Sequence, residues 1–312
     1  MDDDTLQVQE KALTVVLSPS ARIWLNRTGA FLGLAGVIFV GIRLRHYAGQ
    51  IDFRKLEAGD YAALAALASL YGASNLLLAL GWQRLLDHLG VPVSRAWAIH
   101  AYAISQLAKY VPGNIFQFAG RQAIGVAVGI GNGPLAKSTA YELAVLVVGG
   151  ALFAPLLLPL VGTPDYLGWI SFAATVTIAL WLVGRLGGAV FRVAAVFYLG
   201  FLTLSGLVFA AAFGLAGGFH DFALYPVVAG AYVLAWLVGL VTPGAPAGLG
   251  VREAVLLFLL GGLSLSPVIL LAVVIGRTIT VLGDLLFFAG GLIAGRFYRA
   301  GVPAPPRDSN NA

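Results

Sequence analysis

A chain of 312 residues that is 59% hydrophobic and only 11% charged, with a mean hydropathy of +0.89, is not a soluble globular domain; such domains are about a quarter charged. The net charge of +5 does not mark a nucleic-acid partner, because the basic residues stand between apolar segments rather than in one patch with interleaved aromatics. The absence of cysteine excludes disulfides, thiolate chemistry and cysteine-based metal sites, and His46, His88, His100 and His220 lack ligand spacing, so no metal or cofactor is expected.

Residues 1–27 form a polar tail containing Asp2, Asp3, Asp4 and Glu10, with no cleavable signal expected. A first apolar span covers about 28–43 and a second about 61–83. An interrupted region follows at 96–131, broken at Pro112-Gly113. Spans are expected at about 138–160, 165–184 and 190–217, then a second interrupted region at 223–263, broken by TPGAPAGLG (242–250). The last span runs about 267–295, and 296–312 form a C-terminal tail. Both extreme ends, 1–20 and 301–312, have the composition of disordered segments. Strand periodicity is absent, so the spans predict an all-α polytopic membrane protein with one transmembrane domain over 28–295.

The two breaks are related. PGNIFQFAGRQA (112–123) and PGAPAGLGVREA (243–254) share Pro, Gly, Arg and Ala at the same four offsets, 131 residues apart. The same displacement carries 61–83 onto 192–214 and 138–160 onto 269–291, both inside predicted spans. This predicts two repeats, about 28–160 and 165–295, each of three spans plus one broken pair.

Loop charge predicts the topology. The 161–164 and 218–222 connections lack Lys and Arg and go outside; the 185–192 connection, the 84–95 loop and the C-terminal tail carry arginines and go inside. Both termini are then cytoplasmic in an inner or plasma membrane. The 43–60 connection, with Arg43, Arg45, Arg54 and Lys55, falls outside, against the rule. Each interrupted region begins and ends on one face, as a re-entrant hairpin, and three crossings per repeat make the repeats inverted, a plan common among secondary transporters. The alternative is a pair of full spans joined by an ordinary Pro-Gly loop at each break.

A break at Pro112, Gly113, Pro243 and Gly244 frees backbone groups that must face protein or a wet cavity. The helix that follows presents its positive N-terminal end, suited to an anion, and Gly248 and Gly250 permit close backbone approach. Arg121 and Arg252 each lie nine residues past their proline, about 13 Å back along the returning helix. In opposed hairpins they offer one cation towards each membrane face; the alternative is snorkelling to the interface. Glu142, Arg277, Asp284 and Glu253 are ionisable at membrane depth, as a buried charge network, an ion-coupling path or helix-docking pairs, with Glu142 the natural partner of an arginine. Lys109, Tyr110, Asn114 and Gln117 either contact a headgroup or satisfy freed backbone. His100 is expected to be a hydrogen-bonded packing residue.

KYVPGN with its trailing Gly-Arg (109–121) and PGAPAGLGVREAVL (243–256) resemble the two most recognisable stretches of the lysylphosphatidylglycerol synthase transmembrane family, over about 28–295. Lys109, Tyr110, Pro112, Gly113, Asn114, Gly120 and Arg121 match the first, and Gly248, Gly250, Arg252 and Glu253 the second. Ala245-Pro246-Ala247 replaces a more glycine-rich run. The resemblance implies a lipid-handling domain like the flippase part of those synthases, without their soluble aminoacyl-transfer domain.

The expected function is therefore translocation of an anionic lipid headgroup, phosphate-containing and aminoacylated or glycosylated, between leaflets. No ATP-binding motif is present, which leaves downhill or ion-coupled movement. Two alternatives stand beside it. One is a lipid-binding or regulatory partner of a separately encoded glycosyltransferase or lipid-modifying enzyme. The other is a membrane-embedded lipid transferase or phosphatase, for which no catalytic spacing is found.

Overall fold

A computed structural model describes residues 58–111, 115–218, 222–242, 248 and 250–300, with side chains to Arg296. The span expected at 28–43, the two tails, and Pro112, Gly113, Asn114, Pro243 and Gly244 lie outside the described residues.

Long runs of Ala, Leu, Val and Gly, with few charges, dictate helices throughout. The first, α1 (Ala58–His88), carries Asp60 in its first turn, where the helix dipole favours an anion. In α2 (Arg95–Gln106) the Ser94 hydroxyl caps the start by accepting the Trp97 N–H at 3.2 Å. A tight turn, Leu107–Tyr110, ends α2 before the first break, and α3 (Phe116–Ala127) follows it. Next come α4 (Asn132–Ala151), extended by tight turns over Ala154–Val161, and α5 (Asp165–Leu215). α6 (Tyr225–Val241) and α7 (Val251–Leu260) flank the second break, and α8 (Ser266–Ala300) completes the described chain.

The described residues are all-helical, with no strand, and four stretches are long and apolar enough to cross a membrane: Ala58–His88, Asn132–Val161, Asp165–Leu215 and Ser266–Arg296. Their outer faces agree with a lipid setting. Leu186 and Phe258 are 87% and 85% exposed, and Trp169 and Trp181 face outward along the first part of α5. Arg185 stacks on Trp181 at 5.3 Å, a pairing suited to the membrane interface.

Where two spans were expected, at 165–184 and 190–217, the structure has one 51-residue element. Straight, it would be about 77 Å long, more than twice the ~30 Å hydrocarbon core. It is not straight. Gly188 has φ 80° and ψ 177°, a conformation open essentially to glycine alone, and divides α5 into two arms. Most of the buried side chains belong to the second arm, which packs against α1 with Tyr198 under Gly81.

Small residues let helices touch through their backbones where no hydrophobic drive acts between them. One close crossing joins α1 and α8. A Cβ on Gly72 would lie 2.8 Å from the Gly283 carbonyl oxygen, and one on Gly283 only 2.7 Å from the Ala68 carbonyl oxygen. This contact fixes the depth of the next residue, Asp284, against α1. His100 of α2 also docks on α8, its Nδ1 lying 2.9 Å from the Gly291 carbonyl oxygen in a packing role.

A Cβ at Gly188 meets nothing within 4 Å, so Gly188→Ala carries the backbone penalty alone, about 1–3 kcal/mol. We expect a lower thermal midpoint for Gly188→Ala in detergent, whereas Gly290→Ala, in α8 with equally open space, is neutral or slightly stabilising. Equal midpoints for both variants would contradict a glycine-dependent break.

Candidate functional site: three ion pairs around one cavity

Seven ionisable side chains, Lys109, Arg121, Glu142, Arg252, Glu253, Arg277 and Asp284, gather among the helices that flank the two breaks. A charge placed in this interior loses its hydration and must be paired or neutralised.

The first pair joins α3 to α4. Arg121 lies 3% exposed, its guanidinium bridged to Glu142 through both terminal nitrogens, one of them at 3.3 Å. Tyr102 of α2 donates its hydroxyl to the same carboxylate at 2.7 Å. The guanidinium is also stacked on rings of Tyr102, Trp82 and Phe118, at 4.4, 4.9 and 5.6 Å. Bidentate pairing and aromatic faces are the surroundings in which arginine tolerates burial best.

The second pair joins the turn after α2 to α8. Asp284, fully buried, takes the Lys109 ammonium at 2.7 Å and the Tyr110 hydroxyl at 2.5 Å on one carboxylate oxygen. Its other oxygen accepts from the Asn75 amide at 3.2 Å, and Gln106 donates in turn to Asn75 at 3.4 Å. The Gly72–Gly283 contact brings α1 near enough for this.

The third pair joins α7 to α8. Arg277 donates to Glu253 Oε1 at 3.0 and 3.3 Å and to the Gly248 carbonyl oxygen at 3.4 Å. Beside it stands Arg252, held over the Trp236 ring at 5.8 Å. Its stem is pinned between glycines: a Cβ on Gly239 would lie 2.9 Å from Arg252 Cγ, and one on Gly248, at φ 71°, 2.7 Å from Nε. Gly250, at φ 79°, leads directly into α7. Among the described residues Arg252 has no acidic partner, and its buried Nε has no hydrogen bond.

These pairs surround a cavity of ≈ 60 Å³. Its wall includes the cations Lys109, Arg252 and Arg277 but, among the described residues, one carboxylate, Glu142. Tyr71, Tyr102, Gln106, Tyr110, Gln117 and Thr280 supply neutral polar groups, and Phe118, Phe201 and Trp236 supply rings. A second, smaller cavity of ≈ 10 Å³ shares Arg252, Arg277 and Thr280 with the first. The first cavity exceeds several-fold the ~10–15 Å³ that admits one water, leaving room for a small polar group.

The site residues read from the sequence thus separate by position. Lys109, Tyr110, Gln117 and Arg252 line the cavity, as do Glu142 and Arg277. Arg121, Glu253 and Asp284 are the paired partners of wall residues. Glu142, Arg277 and Asp284 each stand in an ion pair of their own. Sequence reasoning missed Tyr71, Asn75, Tyr102, Gln106, Trp236 and Thr280, which lie on helices apolar enough to hide single polar positions. The one available signal was polarity recurring within the interrupted regions and the flanking spans. Comparison with known protein families gives no match, and none of the curated proteins matches the chain.

Glu142→Leu strands the buried Arg121 charge and should cost about 3–5 kcal/mol. The double variant Arg121→Met/Glu142→Leu should recover most of that loss, because no charge is then left alone. A double-mutant cycle of unfolding in detergent checks this. Additive losses would contradict a direct pair.

Proposed function

We propose that the chain is a lipid translocase, moving an anionic, phosphate-containing headgroup between the leaflets of an inner or plasma membrane, as its resemblance to the lysylphosphatidylglycerol synthase transmembrane family implies. The observation that carries this reading is the charge count around the cavity: among the described residues, four cations against three carboxylates, with Arg252 left over. An unpaired guanidinium at membrane depth is costly until an anion meets it. A phosphate on Arg252 would gain charge-assisted hydrogen bonds and leave the three existing pairs intact.

The helix lengths support the re-entrant plan. α2 and α3 have 12 residues each and α7 has 10, about 15–18 Å at 1.5 Å per residue, half of a ~30 Å core. The 131-residue displacement also carries α2 onto 226–237, inside α6, and carries 132–151 to 263–282, largely inside α8. It sets 58–88 on 189–219, beside the second arm of α5. This recurrence supports two inverted repeats with cytoplasmic termini, whose hairpins enter from opposite faces and meet near the cavity. A headgroup would then cross through the space at Arg252, Arg277 and Thr280, where the two cavities adjoin, with its acyl chains remaining in lipid.

Proteoliposomes carrying a headgroup-anionic fluorescent phosphatidylglycerol in both leaflets test this reading by quencher accessibility. The full chain should expose the inner-leaflet pool faster than protein-free vesicles. Arg252→Gln should slow exposure about 10- to 100-fold, from the ~1.5–3 kcal/mol of a hydrogen bond to a charged group. Rates no faster than in protein-free vesicles would overturn the proposal.

A further inference from the structure

We infer that the headgroup this cavity accepts carries a phosphate charge and uncharged hydroxyl substituents, and no ammonium group. The inference rests on the translocase reading and narrows its substrate class. It follows from which charges at the cavity are already spent.

An ammonium needs a carboxylate or a set of carbonyl acceptors as it loses water. The one carboxylate in the described wall is Glu142, and both of its oxygens are engaged, by Arg121 and by Tyr102. Asp284 is closed off by Lys109, Tyr110 and Asn75 and does not line the cavity. Glu253 has one oxygen, Oε2, buried without a partner, but it too is outside the wall. An incoming ammonium would therefore meet Lys109, Arg252 and Arg277 at close range with no free counter-charge among the described residues. Like charges at such range repel strongly where water is scarce.

A hydroxylated headgroup fits the same wall. Gln106, Gln117 and Tyr71 line it with neutral amide and phenol groups, which can donate to and accept from hydroxyls. Phe201 and Trp236 line it with apolar faces for the carbon skeleton between those hydroxyls. One phosphate would complete Arg252, and every other group would meet an uncharged partner. This departs from the aminoacylated lipid of the family the sequence resembles.

The test is lipid retention by the full chain, released intact from micelles into a mass spectrometer after exposure to equal amounts of four dioleoyl lipids. These are phosphatidylglycerol, phosphatidylethanolamine, lysylphosphatidylglycerol and uncharged diacylglycerol. The expected result is phosphatidylglycerol retained at least tenfold over both amine-bearing lipids. Arg252→Glu, which turns the surplus charge negative, should bring lysylphosphatidylglycerol to the front. Lysylphosphatidylglycerol retained by the unaltered chain as well as phosphatidylglycerol would overturn the inference and leave the translocase reading standing. If no charged lipid is retained above diacylglycerol, both fall. The comparison within the unaltered chain decides the matter even if Arg252→Glu fails to fold.

Discussion

The structure turns on the cost of keeping charge out of water. Among the described residues, seven charged side chains occupy an interior enclosed by an apolar outer surface, and six of them are paired one to one, each pair tying two segments together. Arg121–Glu142 ties α3 to α4, Lys109–Asp284 ties the turn after α2 to α8, and Glu253–Arg277 ties α7 to α8. Such pairs add little net stability, but losing one partner is expensive, so they hold the short helices to the long ones in one arrangement. Odd numbers cannot be paired. The seventh charge, Arg252, is the residue on which a ligand has most to gain.

The long helices were legible because hydropathy and length are sufficient for a membrane helix, and the ends of α2 and α6 because Pro-Gly interrupts an apolar run visibly. The pairing was not legible. Lys109 and Asp284 are brought together by the packing of α2 on α8, where Ala103 and His100 lie against Gly291, a tertiary contact with no local signature. The break inside α5 at Gly188 coincides with a cluster of glycine and arginine that the sequence marked as a loop, yet the helices on either side abut almost without one.

The two repeat-related arginines show where pattern fails and chemistry decides. Equal spacing from their prolines gave Arg121 and Arg252 equal standing, but their surroundings differ. Arg121 has Glu142 and three aromatic rings; the position 131 residues beyond Glu142 is Val273, so Arg252 has no equivalent carboxylate. The glutamate beside it, Glu253, is held by Arg277. A search for the displaced counterpart of each buried acid would have separated the two arginines from sequence alone. One arginine joins two helices through a carboxylate, and the other, among the described residues, has no acidic partner.

The most direct test of this account is the distance between a lipid phosphorus and the guanidinium nitrogens of Arg252. Rotational-echo solid-state NMR on arginine-¹⁵N-labelled protein in phosphatidylglycerol bilayers measures it, with Arg252→Gln identifying the resonance. A phosphate hydrogen-bonded there places phosphorus about 4 Å from nitrogen, and we expect strong dephasing of the Arg252 signal with little at Arg121. Dephasing confined to exposed arginines, with none at Arg252, would contradict a headgroup site in the cavity.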